Sequence, residues 1–143
     1  VAKDEVKALK YYLMCAEEGD TNALIGLGTL YLDGGEAVKN YPKALETFSR
    51  SELNNNAMAL YYIGKIYYDG SGVPVDLAKA CGYFEKSAQF NMDVSQYVLG
   101  LFYEHGIHYT ANIEEAKKWY RLSAQQDNQE AIEACRRLGV SVH

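Results

Sequence analysis

At 143 residues and a formal charge of −5, the chain has room for one hydrophobic core but lacks the basic stripe that a phosphate backbone demands, so nucleic acid is not an expected partner. Apolar residues make up 48% and charged residues 23%, which excludes a disordered chain. No apolar run reaches bilayer-spanning length, and the opening Val1-Ala2-Lys3-Asp4-Glu5-Val6-Lys7 is too charged for the apolar part of a signal peptide. The expected location is the cytoplasm, or the periplasm or medium where a signal peptide has been removed.

Helices are expected in chain order over about 3–17, 21–33, 41–53, 57–69, 76–90, 93–105, 112–126 and 129–138. Two types alternate. The type that opens the chain is marked by Ala8 and Tyr12, and returns with Ala44 and Phe48, Ala80 and Phe84, and Ala116 and Tyr120. The other type, over 21–34, carries Gly28, Tyr31 and Gly34. It returns over 57–70 with Gly64, Tyr67 and Gly70, and over 93–106 with Gly100, Tyr103 and Gly106. We term the second type the leading helix of a repeat and the first type, over 3–17, 41–53, 76–90 and 112–126, the trailing helix. Every ladder steps by 36 residues without insertion. A fixed period in this range means stacked supersecondary units, each burying a face that it could not bury alone. The predicted fold is all-α: an α/α right-handed superhelical solenoid of 36-residue two-helix repeats, about eight helices in one domain over 1–143.

In the leading helices, Ala59, Ile63, Ile66 and Tyr67 share one stripe, as do Ala23, Leu27, Leu30 and Tyr31, and Ser95, Leu99, Phe102 and Tyr103. A glycine inside a helix costs about 1 kcal/mol relative to Ala. Gly28, Gly64 and Gly100 in one phase therefore imply a neighbour too close to admit a side chain. Gly34, Gly70 and Gly106 each follow the last periodic residue, where a left-handed cap is expected. In the trailing helices, Asp76 after Val73-Pro74-Val75 is the expected N-cap, and Ala80, Phe84 and Ala88 alternate small and large on one face.

Two irregularities stand out. Glu52 occupies the place of Ala16, Ala88 and Ala124, and the loops Gly35-Glu36-Ala37-Val38 and Ile107-His108-Tyr109-Thr110 lack the Gly-Val-Pro of 72–74. The last helix keeps Ala131, Cys135 and Leu138 on the core stripe and puts Arg136 at the close-packing glycine position. It turns Glu130, Glu133 and Arg137 outward as a polar terminal cap. The chain opens on a trailing helix, as a segment cut from a longer array does; loss of an initiator methionine before Val1 gives the same beginning.

The strings Leu27-Gly28-x-x-Tyr31-x-x-Gly34 and Gly70-x-Gly72-Val73-Pro74-x-Asp76-x-x-Lys79-Ala80-x-x-Phe84-x-x-x-Ala88 resemble the Sel-one-like repeat, a relative of the tetratricopeptide repeat, over nearly the whole chain. The resemblance implies an α/α solenoid that acts as an adaptor or scaffold for protein complexes, mostly in bacteria and also in eukaryotes. One branch of that family carries a disulfide in every repeat. Here Cys15, Cys81 and Cys135 are out of register with one another and are expected to be free. Cys81 aligns with Leu45, and Cys135 with Leu99 and Ile63, so both read as small apolar core residues.

No catalytic constellation is visible: no serine has a lysine three residues on, and no glycine-rich phosphate loop follows a strand. His105 and His108 beside Glu104 are the nearest approach to a metal site, but they lack a second ligand pair and read as a solvated helix end. No metal or cofactor is expected. The face of the leading helices opposite the core stripe carries Ile25, Gly26, Thr29 and Asp33, then Tyr61, Tyr62, Lys65 and Asp69, then Tyr97, Val98, Leu101 and His105. Apolar and aromatic residues beside a polar rim suit a docked protein segment. Tyr61 and Tyr97 recur at the repeat interval and read first as packing residues. Tyr62, Lys65, Leu101 and His105 vary between repeats and are the expected specificity positions. The expected function is a non-enzymatic, monomeric protein–protein interaction module that binds a peptide or partner protein in a concave groove. The competing readings are an enzyme acting on the cell wall or on β-lactams, as some family members suggest, and a self-associating structural module.

Overall fold

Side-chain caps set where most of the helices begin, and they form two ladders of their own. Asp20, Asn56 and Asn128 accept backbone N–H bonds at the starts of leading-type helices, while Met92 in the same series makes no side-chain cap. Asn40, Asp76 and Asn112 do the same for trailing helices through the amides of Lys43, Lys79 and Glu115. Each side-chain oxygen satisfies a donor that the first helical turn leaves without a partner. The computed structural model describes residues 2–143, apart from the side chains of Ala2, Lys3 and Ser51. Among the described residues there are eight α-helices and no strand: α1 (Ala2–Glu17), α2 (Thr21–Asp33), α3 (Tyr41–Phe48), α4 (Ala57–Asp69), α5 (Leu77–Gln89), α6 (Asp93–His105), α7 (Ile113–Ala124) and α8 (Gln129–Arg137). The main packing partners run in chain order, α1 on α2 through to α7 on α8, as in an α/α solenoid.

One helix is shorter than the repeat predicts. Instead of running to 53, α3 stops at Phe48, and a 3-10 turn covers Ser51–Leu53. Ala16, Ala88 and Ala124 are all at most 3% exposed at the position that Glu52 holds. A carboxylate cannot enter that site without a large desolvation cost. The backbone therefore tightens, Glu52 turns to Arg50 at 2.6 Å, and Leu53 fills the core in its place at 1% exposure.

The glycine ladder and the aromatic ladder meet. A Cβ on Gly28 would lie 2.6 Å from the Phe48 ring, and one on Gly64 2.9 Å from the Phe84 ring; the Tyr120 ring lies just as close against Gly100. Each leading helix thus presses its glycine onto the aromatic ring of the trailing helix that follows. A serine closes the other end of the pair: Ser87 Oγ donates to the Ala57 carbonyl at 2.6 Å, and Ser123 Oγ to the Asp93 carbonyl at 2.7 Å. Ser51, the equivalent in the preceding repeat, has its side chain outside the described residues.

The loops after the leading helices close alike despite their different sequences. The amides of Asn40, Asp76 and Asn112 donate to the carbonyls of Tyr31, Tyr67 and Tyr103 at 2.8, 3.0 and 2.8 Å. Gly70 and Gly106 take the expected left-handed conformation, with φ of 70° and 67°. Gly34 does not: it is extended, and glycine is needed there because a Cβ would strike the Leu30 carbonyl and the Val38 side chain. His108 stands in the place of Gly72 and adopts its left-handed backbone, with φ of 66° against 78°.

The core is a file of clusters rather than a single centre. The first gathers Leu24, Phe48 and Ile63, the second Phe84, Leu99 and Phe102, and the third Tyr120, Ala131 and Cys135. Beyond α8 the chain folds back, with Val140 and Val142 on the third cluster, the Ser141 carbonyl accepting from Arg121 of α7 and the Val142 carbonyl from Gln125 at that helix's C-cap.

Candidate partner-binding surface

The leading helices α2, α4 and α6 present residues at two adjacent phases toward the aromatic ladder. Tyr61 leans over Phe84 at 5.9 Å between ring centroids and Tyr97 over Tyr120 at 5.7 Å, each within its own repeat. One residue further on, the helix meets the preceding trailing helix. There Tyr62 stacks on Phe48 at 4.9 Å, and Gly26 leaves space for the Tyr12 ring. Tyr62 therefore sits in a packing seam against the first core cluster, not on the outward face that helical phase alone assigns to it. Ile25 likewise packs on that cluster.

Between α4 and α6 this arrangement leaves a cavity of about 250 Å³. Tyr61, Lys65, Asp69, Val98 and Leu101, all anticipated from helical phase, line it together. Three lining residues were not anticipated: Tyr68, Phe84 and Phe102. Phe84 and Phe102 belong to the core stripe, whose edge the cavity exposes. Tyr68 is 39% exposed and stacks on Phe102 at 5.5 Å. Its aligned residues are Leu32 and Glu104, so no ladder marks it, and only its being a non-repeating aromatic hints at a role. Thr29 and Asp33 border a second cavity, between α1 and α2, with Glu5 and Tyr12. Tyr97 packs on the third cluster, and His105 is exposed at 3.9 Å from Glu104; neither lines the cavity between α4 and α6.

Charge gathers on this face from distant parts of the chain. Burial raises the Tyr61 phenol above its usual range, and the carboxylates of Asp69, Asp33 and Glu130 add to the effect. Burial also raises the Tyr97 phenol, with Glu130 and Glu104 adding and Arg137 opposing. Asp33, Asp69 and Glu130 come from α2, α4 and α8; Asp69 shares the cavity wall with Tyr61, and the charges of the other two act on the same phenol. The polar side of α8 is thus not simply a solvated cap. Arg137 reaches back to Glu104 on α6, and the charge of Glu130 acts on Tyr61 and Tyr97; Arg136 pairs with Glu133 on the outside. Tyr120 also donates to Glu104, at 2.6 Å.

Elsewhere the chemistry is sparse. Among the described residues no three of His, Cys, Asp and Glu group as metal ligands would, and no helix is long and apolar enough to cross a membrane. All three cysteines are free; Cys81 and Cys135 are buried, as their alignment predicts, and burial pushes the Cys81 thiol up to about 11. Tyr109 from the loop after α6 stacks on Tyr103 at 4.3 Å and donates to Glu85, which ties that loop down.

The same repeated units are found in known proteins. The Sel1 repeat family matches residues 1–20, 21–51, 57–89 and 93–128. A comparison with curated proteins found no significant match. Among solved structures, a Sel1 repeat protein from Oxalobacter formigenes is 28% identical with a TM-score of 0.76, over 82% of this chain and 89% of that one. The protective antigen c5321 of uropathogenic Escherichia coli strains, described as displaying an SLR fold, is 25% identical with a TM-score of 0.78. That alignment takes in 94% of this chain but 30% of the antigen. The cysteine-rich protein HcpB of Helicobacter pylori shares the fold, with a TM-score of 0.72 at 23% identity over 94% and 96% of the two chains. With its glycine, aromatic and cap ladders in register, and with these matches across most of its length, the chain belongs to the Sel1 repeat family.

Proposed function

We propose that the chain is a non-enzymatic interaction module that receives a peptide or a segment of a partner protein on the face formed by α2, α4 and α6. The observation that carries this reading is the cavity between α4 and α6, with an apolar floor of Val98, Leu101 and Phe102 and a polar edge of Lys65 and Asp69. Its volume of about 250 Å³ falls below the roughly 300–1,000 Å³ that small-molecule sites occupy. It suits one apolar side chain of a longer ligand. Anchors desolvated in such a pocket can each contribute about 2 kcal/mol or more, while exposed lysines contribute little. The fold supports the same reading, since repeats of this family generally serve protein–protein interaction.

The test is selection from a displayed library of random dodecapeptides on the purified protein, followed by affinity measurement of the selected peptides. Leu101→Asn and Tyr68→Ser should each weaken binding about tenfold or more with the fold intact by circular dichroism. Lys86→Ala and Lys118→Ala, on the trailing helices, should leave it unchanged. Binding that depends on the two lysines and not on Leu101 or Tyr68 places the interaction on the other face and removes this reading. Sustained turnover of a β-lactam or of peptidoglycan by the purified protein would remove the non-enzymatic part.

A further inference from the structure

Charge is divided between the two helix types. Of the 14 Lys and Arg residues, nine fall on the trailing helices α1, α3, α5 and α7, and only Lys65 falls on α2, α4 and α6. The leading helices instead end on acid: α2 closes with Asp33 and α4 with Asp69, and neither has a base in its last turn. This runs against the helix macrodipole, whose C-terminal end carries about −0.5 of an elementary charge and favours Lys, Arg or His⁺. A position that breaks such a local rule twice, at the repeat interval, points to use rather than to stability. Asp33 and Asp69 are both exposed and, among the described residues, neither is paired with a base.

Glu130 joins them from α8. It is exposed and, among the described residues, paired with no base, and with Asp33 and Asp69 its charge acts on Tyr61. The positive groups on the same face are fewer. Lys65 lines the cavity one turn before Asp69, and Arg137 is already held by both oxygens of Glu104. Asp69 thus stands on the wall of an apolar cavity beside one ammonium, Asp33 borders the neighbouring cavity between α1 and α2, and Glu130 acts through its charge on Tyr61, which lines the first.

We infer that the segment received on this face is cationic: an apolar side chain enters the cavity between α4 and α6, and Lys or Arg residues flanking it reach Asp33, Asp69 and Glu130. This rests on the reading of the face as a peptide-binding surface. Opposite charge on the two sides raises the encounter rate and sets the register, and partners of like charge are repelled. Exposed pairs of this kind are individually weak and screened by salt, so the apolar anchor supplies most of the affinity and the carboxylates supply selectivity.

The library selection described above tests this through the composition of its output. Enriched sequences should carry Lys or Arg on either side of a Leu, Ile, Met or Phe. A selected basic peptide should bind about tenfold less tightly to the Asp33→Asn, Asp69→Asn, Glu130→Gln triple variant, and should lose affinity as sodium chloride is raised. Lys65→Gln should bind it at least as well as the parent protein. Enrichment of acidic or uncharged sequences that still require Leu101 overturns the charge assignment and leaves the surface in place. Basic sequences that bind regardless of Leu101→Asn and Tyr68→Ser overturn the surface and this inference with it. Basic sequences indifferent to the triple variant, or a selection that enriches nothing, overturn this inference as well.

Discussion

Arg137 holds the Glu104 carboxylate with both terminal guanidinium nitrogens, at 2.6 and 2.9 Å, across 33 residues of sequence. The pair fastens the last helix to α6, and Tyr120 of α7 donates to the same carboxylate. The Arg137 guanidinium holds the Glu104 carboxyl down at about 2 from its usual 4.5; burial opposes it and the Tyr120 hydroxyl assists. A carboxyl lowered in this way adds stability that is complete above its unfolded pKa and is lost as it protonates. The loss therefore falls between pH 4.5 and about 2. Glu104→Gln should flatten the change in melting temperature across that window. Arg137→Ala at neutral pH should cost about 1 kcal/mol or somewhat more, the roughly 1.5–3 kcal/mol of a hydrogen bond to a charged group reduced by solvent at a half-exposed guanidinium. A melting temperature equal to that of the parent protein would show that the pair contributes nothing.

Gly64 and Gly82 should respond in opposite directions to the same substitution. A Cβ on Gly64 meets the Phe84 ring at 2.9 Å and the Ala80 carbonyl at 3.2 Å, whereas one on Gly82 meets nothing within 4 Å. Gly64→Ala should destabilise by about 1–3 kcal/mol through overpacking, and Gly64→Leu by at least as much. Gly82→Ala, in the middle of α5, should stabilise by about 0.5–1 kcal/mol through helix propensity. Chemical denaturation of the two alanine variants decides it, and a shift of the same sign in both would contradict the packing of the ladder.

His108 holds a backbone conformation that suits glycine, in a loop where the preceding repeat has Gly72. An L-residue there carries about 1–2 kcal/mol of strain, partly offset by the entropy that glycine loses on folding. His108→Gly should raise stability by about 0.5–1 kcal/mol. Gly72→Ala should lower it, because φ is 78° and a Cβ would press on the Tyr41 side chain at 2.6 Å. Thermal melting of both variants is the check, and a destabilised His108→Gly would mean that the imidazole makes contacts worth more than the strain.

The cysteines should react in two classes. Cys15 is partly exposed, while Cys81 and Cys135 are buried and their thiols are raised by burial. The thiolate is the reactive form. A thiol reagent at pH 8 should label Cys15 promptly and the other two only as the chain unfolds, and three thiols should titrate in denaturant without reductant. A single thiol in denaturant would reveal a disulfide.

The 36-residue step, the helix types, the close approach of a neighbour at the glycines and the buried Cys81 and Cys135 were all legible in the sequence, though not that the neighbour is the aromatic ladder. The reason is physical: in a solenoid each unit packs mainly on its neighbours, so one spacing repeated along the chain states both the local periodicity and the contact. Phase on a single helix was less reliable. It could not say that Tyr62 closes a seam on Phe48, because outward from one helix is inward to the preceding one. Nor could a ladder reveal Tyr68, which has no counterpart in the other repeats, or the end of α3, where Glu52 cannot take the buried place of an alanine. Tertiary structure decided what meets across the winding. The charges of Asp33, Asp69 and Glu130 act together on Tyr61, and Arg137 reaches Glu104, because superhelical winding is a sum of small rotations between packed helices. Those rotations depend on side-chain volumes at the seams, and spacing along the chain does not encode them.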